Sequence, residues 1–202
     1  MILAFDGSSI DGSAYEDVIR LAHHSPGWLD DTVSAWSTYG SGVFAALAAV
    51  GWWRARRSGA VAAAVTALAV PLVVVVAYGV DATLKLAVRE DRPCHSLHVS
   101  TLEACPEPGD WSFPSNHAAI AAAAALALVF VSRRLGTVAV VAALAMAASR
   151  VWVGAHYPHD VLAGLAVGAV VALVAMPGAR RQSETLARWL AAKRLGALLL
   201  TS

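Results

Sequence analysis

The sequence predicts an all-α fold, a polytopic membrane bundle of about five transmembrane helices preceded by an amphipathic interfacial helix. Three observations predict it. Hydrophobic residues make up 58% of the 202 positions and charged residues only 14%, whereas a soluble domain carries about a quarter charged. The apolar residues come in long blocks between tight charge clusters. No block alternates polar and apolar positions as a barrel strand must. The composition excludes disorder, and a net charge of +1, from 15 basic and 14 acidic residues, gives no bulk field for nucleic acid. The chain reads as one membrane-embedded domain, with residues 1–34 an extracytoplasmic or interfacial segment and 177–202 a cytoplasmic tail mixing basic and apolar side chains.

Taken in order, residues 1–5 are apolar but stop at Asp6 without a basic start or a long apolar centre, so no cleavable signal peptide is expected. Residues 11–24 set Tyr15, Val18, Ile19 and Ala22 at helical spacing opposite Glu16, Asp17 and Arg20, which predicts a helix lying along the outer surface. Apolar runs at 35–53, 59–80, 114–131, 136–153 and 158–176 are each near the length a bilayer requires. They are rich in Ala, Val, Leu and Gly, which lets helices approach closely. Residues 178–183 read as a short linker, and 184–200 as a basic, apolar segment suited to the inner surface or to a partner helix.

Orientation follows from the connections. Placing the C-terminal end of the first span inside puts Arg54, Arg56, Arg57, Arg133, Arg134, Arg180, Arg181, Arg188, Lys193 and Arg194 in the cytoplasm, ten of fifteen cations. It leaves every acidic residue except Glu184 outside, together with all seven histidines. Trp36 and Tyr39 at one end of the first span, and Trp52 and Trp53 at the other, fit two interfacial belts. The expected location is the cell membrane, multi-pass.

Three stretches place ionisable groups at span ends, where charge costs about 2.5 to 3.5 kcal/mol at a helix centre. Lys85 and Arg92 are seven residues apart. On a continued helix they share a face and grip one polyanion, with Pro93 ending the helix; alternatively they form a basic cluster on lipid headgroups. In Phe113-Pro-Ser-Asn-His117, Ser115 caps a helix whose positive end faces the outer site and can hold a phosphate oxygen, with His117 in the first turn as a proton donor. A merely capped helix with an interfacial histidine explains the same residues equally well. In the third stretch, Arg150 sits in an apolar span end, His156 precedes the next span, Pro158 suits its first position and Asp160 its first turn. A carboxylate beside an imidazole fixes its tautomer and leaves the other nitrogen free to attack. Asp160 paired with Arg150 or His156 as a structural link is the other reading.

Together these read Lys, six residues, Arg-Pro; Pro-Ser-Asn-His; and Ser-Arg, five residues, His, three residues, Asp. The pattern resembles the three-part signature of the type-2 phosphatidic acid phosphatase superfamily, preserved in order and spacing from Lys85 to Asp160. The resemblance implies a metal-independent phosphatase without cofactors. It implies His156 as nucleophile forming a phosphohistidine, Asp160 orienting it and His117 protonating the leaving oxygen. Lys85, Arg92, Ser115, Asn116 and Arg150 would bind the phosphoryl group. Asn116 stands where the family usually has Gly, keeping the backbone N–H but adding an amide. The expected partners are a lipid-phosphate substrate and the bilayer, with no nucleic acid; protein partners are not specified. An isoprenoid pyrophosphate such as undecaprenyl pyrophosphate at the outer leaflet is the favoured substrate. Phosphatidic acid or phosphatidylglycerol phosphate is the alternative, and a non-catalytic phospholipid-binding or transport protein is the alternative of another class.

Other residues carry less. Cys94 and Cys105 fall in one outer loop and either form a disulfide or stay reduced, and zinc bound with His95 and His98 matches no standard spacing. His159 reads as an exposed neighbour of Asp160, and Trp111 and Trp152 as interfacial anchors.

Overall fold

A run of alanine becomes the axis of the molecule. In the computed structural model, which describes residues 5–192 with side chains to residue 189, this run lies in helix α6 (Asn116–Val131). Ala118, Ala119, Ala121 to Ala125, Ala127 and Leu128 of α6 are all buried, as expected of a helix apolar on every side. Around it pack α3 (Ser41–Arg57), α4 (Val61–Val88), α7 (Arg133–Trp152) and α8 (Pro158–Ala192). Phe44, Val70, Val73, Leu128, Met146 and Met176 close the core between them. The remaining helices are α1 (Ser8–His23), α2 (Gly27–Tyr39) and the single turn α5 (Pro93–Ser96). Among the described residues there is no strand, only an isolated bridge between Phe5 and Glu90.

Small residues set the closest contact. A Cβ at Gly168 would lie 2.1 Å from the Ala119 carbonyl oxygen, and one at Gly164 2.4 Å from that of Ser115. Helix α8 therefore approaches α6 backbone to backbone, the small-residue packing that stands in for the hydrophobic effect inside lipid. The outward faces of α4 and α8 expose Leu72, Val75, Val76, Leu162, Leu173 and Val174, which suits lipid contact.

By length and apolarity, α4, α7 and the 158–189 part of α8 can each cross a bilayer. Helices α2 and α3 make a fourth if their pair, bent by 53°, counts as one span. The run at 35–53 is thus broken at Gly40 rather than straight, and the run at 114–131 is an apolar helix of only 16 residues. Expected linker residues 178–183 are helical and continue α8 past Pro177. The segment 184–200 is helical up to Ala192; Lys193, Arg194, Leu195 and Leu200 lie outside the described residues.

The amphipathic face of the N-terminal helix is buried against protein. Tyr15, Ile19 and Ala22 are buried, the first two in one cluster with Ala118, Ala147, Val151 and Tyr157, and the Tyr15 hydroxyl donates to the Gly154 carbonyl at 3.0 Å. An apolar stripe carries no label for lipid or protein, so the sequence alone could not choose.

Candidate functional site

Four helix ends meet at one end of the bundle. Lys85 closes α4, His117 opens α6, Arg150 closes α7 and Asp160 opens α8. Helix α6 opens after Ser115, whose N–H donates to the Asp160 carbonyl at 3.0 Å and so ties the starts of α6 and α8 together. Between these ends lies a polar cavity of about 270 Å³ lined by Lys85, Arg92, Asn116, His117, Arg150 and His156, among others.

Each cation is held by the surrounding chain. The Lys85 ammonium donates to the carbonyls of Trp111 (2.7 Å) and Ser112 (3.2 Å). Arg92 donates through Nε to the Asp110 carbonyl (2.9 Å) and through a terminal nitrogen to the Ala155 carbonyl (2.9 Å). Arg150 donates to the Ser37 hydroxyl on α2. Its Nε is buried and, among the described residues, has no acceptor, as is true of the Asn116 Oδ1 for donors. Two loop carboxylates lean on the same cations: Glu103 lies 3.0 Å from Arg150, and Asp110 lies 3.1 Å from Arg92.

His156 and Asp160 sit behind this ring, both almost fully buried. His156 turns Nδ1 toward the Asp160 carboxylate (3.5 Å) and the Ser112 hydroxyl (3.4 Å), which leaves Nε2 as its other nitrogen. The same Asp160 oxygen accepts from the Ser112 hydroxyl (2.5 Å) and the Tyr157 N–H (2.9 Å). Burial drives the His156 pKa well below 6.5, with Arg92 and Lys85 adding to the shift and the Asp160 hydrogen bond opposing it. A lowered pKa means that protonation requires stronger acid, so the ring stays neutral and keeps a lone pair. Nitrogen-15 NMR of labelled histidine is expected to find His156 uncharged down to about pH 5, where an ordinary imidazole is mostly protonated.

Six of the eight candidate residues line the cavity directly: Lys85, Arg92, Asn116, His117, Arg150 and His156. Asp160 stands behind His156. Ser115 is the N-terminal cap residue of α6 by position, but its hydroxyl is buried without a partner among the described residues and makes no side-chain cap bond. Lys85 and Arg92 do not share a helix. Helix α4 ends at Val88, Arg89 adopts a left-handed conformation (φ 54°), and Arg92 precedes α5, so the loop brings the second cation back to the first.

Several neighbours escaped the sequence reading. Ser112 joins three parts of the site, because its hydroxyl bonds Asp160, its carbonyl accepts from Lys85 and its N–H donates to the Glu90 carbonyl. His159, expected to be exposed, is largely buried between the Asp11 (2.7 Å) and Glu90 (2.9 Å) carboxylates. It stacks on Tyr157 with ring centres 5.5 Å apart and ties α1 to the site. Trp152 donates to the Asp30 carboxylate at 2.9 Å. Cys94 and Cys105 form a disulfide, so neither offers a thiolate to zinc.

The fold and cavity define a membrane-bundle protein with a polar cavity, lined by three cations and two imidazoles, at one end of its helices. The chain belongs to the PAP2 superfamily, which matches residues 60–184 and so takes in every candidate site residue. It is 42% identical over 82 residues to undecaprenyl-diphosphatase BcrC of Bacillus subtilis, covering 41% of this chain and 42% of that protein. It is 39% identical over 109 residues to decaprenylphosphoryl-5-phosphoribose phosphatase of Mycobacterium tuberculosis, covering 53% and 58%. It is also 42% identical over 96 residues to lipid A 1-phosphatase of Rhizobium johnstonii, covering 45% and 38%. The chain thus spans roughly half the length of these relatives, 42% and 58% of the first two. No solved structure matches it.

Proposed function

We propose that this protein is a membrane phosphatase that hydrolyses a lipid-linked phosphate or pyrophosphate, by preference an isoprenyl pyrophosphate, at the outer leaflet. The observation that carries the reading is the cavity in which Lys85, Arg92 and Arg150 surround a buried imidazole backed by a carboxylate. The relatives' names, two of them for prenyl-lipid phosphatases, support the substrate class.

The terminal phosphoryl group enters the ring of cations with its oxygens toward the two guanidiniums, Lys85 and the N–H groups that open α6. Nε2 of His156 attacks phosphorus, an N–P bond forms and the P–O bond to the leaving group breaks. His117 donates its proton to the departing oxygen, and Asp160 stabilises the charge gained by the His156 ring. A water then attacks the phosphohistidine, giving its proton to His117 and releasing inorganic phosphate with His156 regenerated. The fixed cations stabilise charge on the equatorial oxygens throughout. With that charge supplied by the protein, the reaction runs without a metal.

Outward orientation is supported by the charge pattern. Arg54, Arg56 and Arg57 end α3 and Arg133 and Arg134 open α7, at the helix ends opposite the cavity, and Arg180 and Arg181 lie within α8 more than 20 residues from Pro158, where cytoplasmic cations belong. The disulfide lies on the cavity side, in keeping with an oxidising compartment.

Phosphate release by the purified protein from prenyl pyrophosphates, phosphatidic acid and phosphatidylglycerol phosphate tests the reading. Fastest turnover is expected on the prenyl pyrophosphates and no loss with EDTA. Absence of release from every substrate overturns it, and EDTA inhibition reversed by a divalent ion overturns its metal independence. Glu103→Gln removes the carboxylate that competes with phosphate for Arg150. The Glu103 side chain is 45% exposed and such pairs contribute at most about 1 kcal/mol. Inorganic phosphate, measured by titration calorimetry, is therefore expected to bind about 2- to 5-fold more tightly to this variant.

A further inference from the structure

Beside the polar cavity runs an apolar groove of about 390 Å³ between α2 and α7. Its α7 wall is Ala145, Ala148, Ser149 and Trp152, one helical stripe at i, i+3, i+4 and i+7, and its α2 wall includes Val33 and Trp36. Polar atoms on this lining are mostly engaged elsewhere. The Ser149 hydroxyl donates to the Met146 carbonyl and the Trp152 indole N–H to Asp30. Ala145 and Ala148 are exposed, so the floor is a strip of small residues between two indoles, open along the side.

The groove and the cavity share a wall. Arg150 follows Ser149 on α7 but turns into the cavity, and the side chain that accepts its hydrogen bond, Ser37, follows Trp36 on α2. Since α7 runs toward the cavity, the stripe descends from Trp152 beside the site to Ala145, about 10 Å deeper at about 1.5 Å per residue. A molecule with phosphate at one end and hydrocarbon at the other matches this pair of spaces in order and polarity. The larger groove between α4 and α8, lined by Leu72, Leu186 and Trp189 among others, does not. Its α8 residues begin at Ala179, about 30 Å along the helix from Pro158.

We infer that the α2–α7 groove holds the hydrocarbon tail of the substrate next to the phosphate headgroup and is where chain length is sensed. This rests on the phosphatase reading above. Filling the floor with Ala148→Phe tests it through two substrates with one headgroup, undecaprenyl pyrophosphate and isopentenyl pyrophosphate, the second too short to occupy the groove. The ratio of kcat/KM for the long over the short substrate is expected to fall about 10-fold, through KM. An unchanged ratio, including a parallel loss on both substrates, overturns the inference. Photolabelling of the protein in detergent, using a polyprenyl pyrophosphate with a diazirine on its second and third isoprene units, gives a readout independent of turnover. Label on α2 and α7 that Ala148→Phe removes supports the groove, and label confined to other helices overturns it. A wild-type protein that labels on α2 and α7 yet releases no phosphate would sink the phosphatase reading while leaving the groove standing.

Discussion

His156→Ala is expected to abolish phosphate release, lowering kcat by at least about 10⁴-fold, while affinity for the lipid phosphate stays within a few-fold. The separation follows from the division of labour in the cavity. In the proposed site binding rests on Lys85, Arg92 and Arg150, whose anchors are backbone carbonyls and Ser37 rather than the imidazole. In the proposed mechanism bond breaking rests on one nitrogen of a ring buried at 2% exposure, and His117, the other imidazole on the cavity, acts on the leaving oxygen instead. Phosphate release and equilibrium binding measured on the same preparation check both halves. A carrier built from the same cations would bind the lipid and release no phosphate with either histidine or alanine at 156, whereas unchanged turnover in the variant would remove His156 as the nucleophile.

Asp160→Asn is expected to cost nearly as much, about 10³- to 10⁴-fold in kcat, with little change in KM. One Asp160 oxygen already accepts from the Ser112 hydroxyl and the Tyr157 N–H while facing Nδ1 of His156. An asparagine keeps the shape but has only one acceptor oxygen. With that oxygen used by Ser112 and Tyr157, its amide nitrogen has no carboxylate charge to offer the imidazolium formed on attack. Where the amide donates to Nδ1 instead, the ring's proton moves to Nε2, and the attacking lone pair is lost. Steady-state kinetics with a circular dichroism check on folding distinguish this loss from a collapsed site; a fall of less than about 10-fold would mean that Asp160 is only a structural link.

What the sequence could reveal was governed by whether position along a helix also fixes position in space. Arg150, His156 and Asp160 were legible because they straddle the end of one helix and the start of the next, where Pro158 and the apolar runs mark the boundaries. Pairing across the molecule left no such trace. Ser112 meets Asp160 across 48 residues, and Ser37 meets Arg150 across 113; both depend on loop paths and helix packing that no local period encodes. The turn after α4 was missed for a similar reason. A helical spacing of seven predicted a shared face for Lys85 and Arg92, but Arg89 ends the helix in a left-handed conformation between them. The first apolar run reads as one straight span, but it bends by 53° at Gly40, where tertiary packing and not local period decides the path. The burial of His159 needed Asp11 from the N-terminal helix, a partner 148 residues away.

The central claim is that His156 becomes covalently phosphorylated during turnover. Mixing the purified protein with a pyrophosphate substrate radiolabelled on its terminal phosphate, quenching in alkali within milliseconds and mapping the labelled peptide tests it most directly. The account predicts label on the peptide containing His156, stable in base, lost in acid and absent from His156→Ala. Full turnover with no trapped label at any quench time, or with label on a different residue, would contradict it.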